Sequence, residues 1–152
     1  MRKIVTSLLA AIVVAAGLVA VGSQEASAAS PCLQIYRIYY NSPGPDNRSN
    51  ASLNAEFVQL HNRCSTSRSM SNWVLRDNNG HTYNFGTYTI GGSKYVTVHT
   101  GKGTNTAANR YWGSGSYIWN NDKDTAYLRN GPRGTLIDIC AYNNPNASSI
   151  LC

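Results

Sequence analysis

Short runs of alternating apolar and polar residues, separated by turn-forming residues, constrain the fold of this chain most strongly. Beyond residue 28, no stretch repeats apolar residues at the spacing of an amphipathic helix. Alternation with a period of two is typical of half-buried β-strands, because successive side chains of a strand point to opposite faces. The runs therefore predict an all-β fold, an antiparallel sandwich or barrel of about seven strands. They are residues 32–40, 55–62, 72–77, 81–85, 94–100, 124–130 and 135–142.

Turn signals separate these runs. Asn79-Gly80 lies between two of them and predicts a hairpin, because both residue types tolerate positive φ. Residues 131–134, Gly-Pro-Arg-Gly, predict a second tight connection. Residues 42–54 contain two prolines and many polar residues, and they predict a loop.

The chain begins with a segment typical of a secretory signal peptide. A basic start of Arg2 and Lys3 precedes an apolar run, and residues 26–28 fit an A-x-A cleavage site. The apolar run is near the length that spans a bilayer, so an uncleaved membrane anchor is the alternative. We expect residues 1–28 to be removed and residues 29–152 to form one domain that is secreted to the extracellular side.

The exported chain is basic. The whole chain has 13 Lys and Arg against 7 Asp and Glu, and losing Arg2, Lys3 and Glu25 leaves 11 against 6, a formal charge of +5. Such a charge favours anionic partners, such as nucleic acid, anionic wall polymers or membrane surfaces. It also keeps a secreted protein soluble, so charge alone identifies no partner.

Four cysteines remain after cleavage, and an even number in an exported chain predicts two disulfides. Three connectivities are possible. If residues 32–40 and 55–62 pair antiparallel, Cys32 meets Cys64, which leaves Cys140 for Cys152. Zinc is a poor alternative, because the sequence has no C-x-x-C or Cys-His pair at ligand spacing.

Residues 119–124, WNNDKD, invite two interpretations. Asp122 and Asp124 could bind Ca²⁺ through carboxylate oxygens, together with Asn120 and Asn121. Alternatively, the Asn and Asp side chains bond nearby backbone amides and shape a turn. The sequence favours the turn, because the 12-residue calcium-loop pattern of ligands is missing, and we predict no metal site.

The sequence offers little for catalysis. The exported chain has one glutamate, Glu56, and its aspartates lie at predicted turns, strand edges or framework positions. The three histidines, His61, His81 and His99, show no metal spacing, and no G-x-S-x-G nucleophile motif occurs. Residues 99–106 lack the phosphate-loop pattern. We therefore predict no catalytic residues, no cofactor and no enzymatic activity.

The best candidate binding surface is aromatic and basic. Rings beside cations can stack on bases or sugars and contact phosphates. Some of these rings could instead belong to the core. A second basic group is Arg63 and Arg68. The candidate ligand-binding residues are Lys102, Arg110, Tyr111, Trp112, Tyr117 and Trp119.

Five segments together resemble the lamin tail domain family, in its bacterial secreted form. They are NAEFVQLHN (54–62), MSNWVLRDNNGHTYNF (70–85), TIGGSKYVTVHTGKG (89–103), the region from YWG to YIWNNDKDTAYLRN (111–130), and GTLIDICAY (134–142). The resemblance covers about residues 33–142. The four cysteines are not part of the general family pattern, and we interpret them as an adaptation to export.

The resemblance implies an immunoglobulin-like β-sandwich that binds and does not catalyse. It implies protein or cell-envelope partners, with a nucleic acid or another anionic polymer as the alternative. We expect a monomer without a small-molecule cofactor, although exposed edge strands offer a route to pairing between chains.

Overall fold

Eleven strands and one short helix follow one another along residues 31–152, the part of the chain that a computed structural model describes. The predicted signal peptide lies outside the described residues. The elements are β1 (Leu33–Tyr39), α1 (Asn50–Ala55), β2 (Phe57–Asn62), β3 (Arg68–Ser69), β4 (Val74–Arg76), β5 (Thr82–Asn84), β6 (Thr89–Ile90), β7 (Tyr95–His99), β8 (Asn109–Tyr111), β9 (Lys123–Arg129), β10 (Leu136–Asn143) and β11 (Ser149–Leu151).

The strands form two main sheets and a small ribbon. The first sheet has the order β11-β1-β2-β7-β8, the second has the order β10-β9-β4-β5, and β3 pairs with β6. Inward side chains of both main sheets meet in one apolar core. This arrangement confirms the predicted all-β sandwich.

Alternation along each strand determines which side chains enter the core. In β2, Val58 and Leu60 point inward and are fully buried, whereas the residues between them stay partly exposed. Ala126 and Leu128 of β9 do the same from the second sheet. Burying one such Val or Leu side chain contributes about 1.5–3 kcal/mol to folding, so the sequence pattern and the core specify the same register.

The seven predicted runs coincide with β1, β2, β4, β5, β7, β9 and β10. The other four strands have two or three residues each, too few to produce a pattern of alternation. The predicted polar loop 42–54 contains most of α1. Ser49 caps this helix by accepting a hydrogen bond from the Ser52 amide, and Leu53 anchors it in the interior.

The hairpin predicted at Asn79-Gly80 is present, because β4 pairs with β5 antiparallel. Its connection is longer than a two-residue turn, since it runs over residues 77–81. Within it, only Gly80 has positive φ, at 98°. Asp77 closes the turn, because its carboxylate accepts the His81 amide at 2.7 Å.

One strand pair departs from the antiparallel pattern. β8 runs parallel to β7, with Thr97 opposite Asn109 and His99 opposite Tyr111. Residues 100–108 carry the chain back to the level of Thr97, in the middle of β7, and from there β8 runs in the same direction as β7. Within residues 31–152, no helix has the length and apolar character needed to cross a bilayer.

Both predicted disulfides are confirmed. β1 and β2 pair antiparallel with Leu33 opposite Asn62, so Cys32 and Cys64 lie at the same end and are bonded. Cys140 of β10 is bonded to Cys152, which ties the C-terminal residues to the second sheet.

We predict that each disulfide stabilises the domain substantially. By loop-closure entropy, replacing Cys32 and Cys64 with serine should lower the free energy of unfolding by about 4 kcal/mol, and replacing Cys140 and Cys152 by about 3 kcal/mol. Chemical denaturation of each double variant measures the loss. Losses below about 1 kcal/mol for both pairs would contradict the account, because the loops they close are long.

Candidate functional site

The loop that carries the candidate residues is fastened to the domain. The backbone amide of Lys102 donates to Asn50 Oδ1 at 2.7 Å. The backbone carbonyl of Lys102 accepts from the side-chain amides of Asn50 and Asn54. These bonds join the loop to α1. The Lys102 side chain remains exposed beside the helix.

Arg110 directs its charge into the domain. Its Nε donates to the Tyr83 hydroxyl at 3.3 Å, and its Nη2 donates to the Phe85 carbonyl at 3.2 Å. The guanidinium carbon also lies 4.8 Å from the centre of the Tyr88 ring. Arg110 therefore links β8 to the second sheet and the residues that follow it.

Tyr111 and Tyr117 occupy different surfaces. The Tyr111 ring stacks on His99, with ring centres 5.0 Å apart. A side chain at Gly103 would collide with this ring, so the backbone of Gly103 covers it from the other side. The Tyr117 hydroxyl lies 2.7 Å from the Ser52 hydroxyl, above α1.

The two tryptophans belong to the interior. Trp119 is only 1% exposed, and Trp112 packs partly buried against the core. Their rings meet edge to face at 6.2 Å. The six candidate residues thus lie in one stretch of chain, but they do not share one surface. Ligand binding by the accessible members, Lys102, Tyr111 and Tyr117, stays a prediction.

Asp124 builds the turn that the sequence predicted. Its carboxylate accepts the backbone amides of Asn78 at 3.1 Å, Asn120 at 3.2 Å and Thr125 at 2.7 Å. The Asn120 side chain donates to the same carboxylate at 2.9 Å. Asp122, by contrast, is exposed and accepts only from the amide of Lys123. Asp124 therefore fixes where β9 begins.

Glu56 was not among the candidate site residues predicted from the sequence. Its carboxylate nevertheless has the most unusual environment of the acidic groups described. It is fully buried between the ends of β2 and β7 and the segment that precedes β9. Its Oε1 accepts the Thr100 hydroxyl at 2.6 Å and the Ile118 amide at 2.8 Å. Its Oε2 has no hydrogen-bond partner among the described residues.

Burial raises the pKa of Glu56 to about 7, against an ordinary value of 4.5, while the bonds from Thr100 and Ile118 oppose the rise. The carboxyl therefore changes its protonation near neutral pH. The sequence signal for this site is the single glutamate immediately before an alternating strand. Alternation places Glu56 on the same face as Val58 and Leu60, so its inward direction could have been predicted from the sequence.

The histidines have structural contacts. His81 lies 2.6 Å from the Asp77 carboxylate. His99 contacts the Asn54 carbonyl and Asn109 Oδ1, and His61 stacks on Tyr95 with ring centres 4.1 Å apart. Within residues 31–152, no three His, Cys, Asp or Glu side chains group as a metal site would require.

A family model described as Lamin Tail Domain matches residues 26–144 of the chain. This match covers β1 to β10 and leaves out β11. No curated protein matches the chain.

We predict that Glu56 makes the domain less stable as pH rises. The pKa is higher in the folded state, so unfolding releases a proton between pH 4.5 and 7. The contribution of protonated Glu56 to the free energy of unfolding is fully present below pH 4.5 and is lost as pH rises through about 7. The loss should amount to about 3 kcal/mol.

Glu56→Gln is the matched variant, because it keeps an acceptor for Thr100 and Ile118 but does not titrate. Urea unfolding of both proteins from pH 4 to pH 8 measures the effect. The difference in unfolding free energy should shift in favour of the variant as pH rises. A difference that stays constant across this range would contradict the assignment.

We also predict that Asp124→Ala destabilises the domain by about 3 kcal/mol, because several backbone amides lose their acceptor. Asp122→Ala is the control, and as an exposed change it should cost within about 0.5 kcal/mol. Thermal or chemical unfolding compares them. Equal losses would show that Asp124 does not hold the turn.

Proposed function

The chain belongs to the lamin tail domain family, and from this premise we propose that it is a non-catalytic binding module that works outside the cell. Lamin tail domains are immunoglobulin-like modules, and membership favours a binding role over an enzymatic one. The partners we propose are proteins or components of the cell envelope.

One observation carries the non-catalytic part of the proposal: the buried carboxylates serve the fold. Glu56 and Asp124 hold turns and crossing segments through the bonds described above. Asp77 pairs with His81, and the partly buried Asp138 accepts the Ile35 amide at 2.7 Å. Apart from Glu56 Oε2, which has no partner among the described residues, these carboxylates bond groups of the domain itself, and this supports a domain that presents surfaces instead of a reactive site.

The two disulfides support export. Disulfides persist in oxidising compartments and are rare in reducing ones. Within the described residues, all four cysteines are paired. The signal-like segment at residues 1–28 is the second support for a secreted chain.

Protein or envelope partners are favoured over a polyanion because the four candidate cations do not form one group. Arg110 turns inward, and Lys102 lies beside α1. Arg63 and Arg68 lie near each other, since the Arg63 amide donates to the Cys32 carbonyl and Arg68 Nη2 lies 3.3 Å from Cys32 Sγ. Binding to DNA depends on many cations that neutralise neighbouring phosphates, and these four residues do not form such a group.

We expect the oxidised mature protein to bind envelope material and to retain that binding at high salt. Sedimentation with purified envelope material over a salt series measures it, with duplex DNA as the comparison. If the logarithm of the binding constant for duplex DNA falls against the logarithm of the salt concentration with a slope of roughly −0.9Z, where Z is the number of phosphates neutralised, the protein binds polyanions instead. Binding to neither material would contradict the envelope proposal.

A further inference from the structure

The outer face of the five-stranded sheet carries two rows of rings, which we call the ring face. The first row crosses four strands and the second crosses three. The first row consists of Tyr39, Phe57, His99 and Tyr111. The second row consists of Tyr36, His61 and Tyr95.

Strand register produces the first row. Tyr39 lies opposite Phe57, Phe57 opposite His99, and His99 opposite Tyr111. The ring centres of these neighbours are 5.4, 5.9 and 5.0 Å apart. Such cross-strand contacts stabilise a sheet and hold each ring in place. The row is therefore rigid before any partner arrives.

A β-bulge supplies the extra ring of the second row. The register between β1 and β2 shifts between Ile35 and Arg37. Tyr36 and Arg37 are both partly exposed there, in place of strict alternation. Tyr36 then reaches Tyr95, with ring centres 5.0 Å apart.

A polar row separates the two rows of rings. Arg37 lies opposite Gln59, Gln59 opposite Thr97, and Thr97 opposite Asn109. The Nε of Arg37 is buried and has no hydrogen-bond partner within residues 31–152. The Arg37 residue as a whole is partly exposed in the middle of the ring face, and it forms no salt bridge within residues 31–152.

The ring face contains no carboxylate. The five strands β1, β2, β7, β8 and β11 include no Asp or Glu. Arg63 lies at its rim, next to Gln34. Glu56 is turned into the interior, and Asp138 lies at the β1 edge, where its carboxylate accepts the Ile35 amide. The two rows of rings and the polar row between them therefore contain Arg37 and no carboxylate.

The rings of the two rows contact one another in two ways. Three contacts are stacked, between Tyr39 and Phe57, His61 and Tyr95, and His99 and Tyr111, and the other three are edge to face. Both arrangements are favourable for aromatic pairs and fix the rings against one another.

We propose that the ring face docks an acidic protein surface, with Arg37 pairing to a carboxylate between the two rows of rings. Tyr and Arg enrichment, with Lys, Glu and Asp depleted, is the composition of interface centres. The absence of acidic residues complements an acidic partner. This inference rests on the proposed binding function and names its surface and partner chemistry.

The same observations disfavour other occupants. Nucleobases and sugars stack on exposed ring faces, and here three stacked pairs already occupy ring faces. Phosphate polymers need a dense row of cations, and Arg37 is the only Lys or Arg of the ring face within the two rows and the polar row between them. A second copy would bring together two faces that each contain Arg37 and no carboxylate.

Poly-L-glutamate is the probe, because it presents the side-chain carboxylates of an acidic protein surface. We expect it to shift the backbone amide NMR signals of β1, β2, β7 and β8 in the oxidised protein, and to bind more tightly than a heparin oligosaccharide or a single-stranded DNA oligonucleotide of matched charge. Tighter binding of either comparison polymer would overturn the proposal. Shifts centred on the second sheet or on Lys102, or no shifts, would also overturn it.

A matched pair of variants separates the ring face from general charge. Arg37→Gln with Tyr95→Ser should weaken poly-L-glutamate binding tenfold or more, an effect typical of Arg and Tyr at interface centres. Arg76→Gln with Tyr127→Ser removes the same groups from the outer face of the second sheet and should change binding less than about twofold. Equal weakening would overturn the proposal.

The envelope assay distinguishes the two proposals. If the Arg37 and Tyr95 variant keeps its binding to envelope material, the ring face is not the surface used, and the binding function stands. If the wild-type protein binds poly-L-glutamate at the ring face but no envelope material, the ring-face inference stands and the envelope partner is wrong.

Discussion

The sandwich depends on one buried carboxylate. Glu56 accepts a hydrogen bond from the Thr100 hydroxyl, at the end of β7. It also accepts one from the Ile118 amide, in the segment that leads into β9 of the second sheet. A buried carboxyl costs free energy unless hydrogen bonds compensate it. Here the bonds are strong enough to keep it buried and the desolvation is large enough to raise its pKa to about 7. The residue therefore joins the sheets and makes that junction sensitive to pH.

This junction also determines which groups can meet a partner. By holding Ile118 in place, it carries Trp119 into the core. The two tryptophans that the sequence offered as binding residues are thereby committed to packing. The rings that face outward are held instead by cross-strand register on the five-stranded sheet, where the strands carry no acidic side chain. The binding surface that we propose follows from the pairing of strands, not from a loop.

Much of the fold could be predicted from alternation and turn residues. The seven long runs, the hairpin between β4 and β5 and both disulfides follow from local patterns and one pairing. The helix α1 could not be predicted, because its six residues are too few to show the apolar spacing of an amphipathic helix. The parallel β8 depends on a return of the chain that no local pattern encodes.

The candidate site was harder to predict, because it depends on contacts between distant residues. The turn role of Asp124 is local and was predicted. The inward turn of Arg110 depends on Tyr83 and Phe85, and the burial of Trp119 depends on both sheets. The outward residues of β2 and β7, such as Phe57 and Tyr95, do show period two in the sequence. Their alignment into rows needs the register between strands.

Native-state hydrogen exchange at the Ile118 amide tests the role of Glu56 most directly. If Glu56 joins the sheets, this amide opens only when the whole domain unfolds, with the same opening free energy as the amides of Leu60 and Leu128. If the Ile118 amide exchanges through a local opening while those two amides stay protected, the carboxylate is not the junction on which the structure depends.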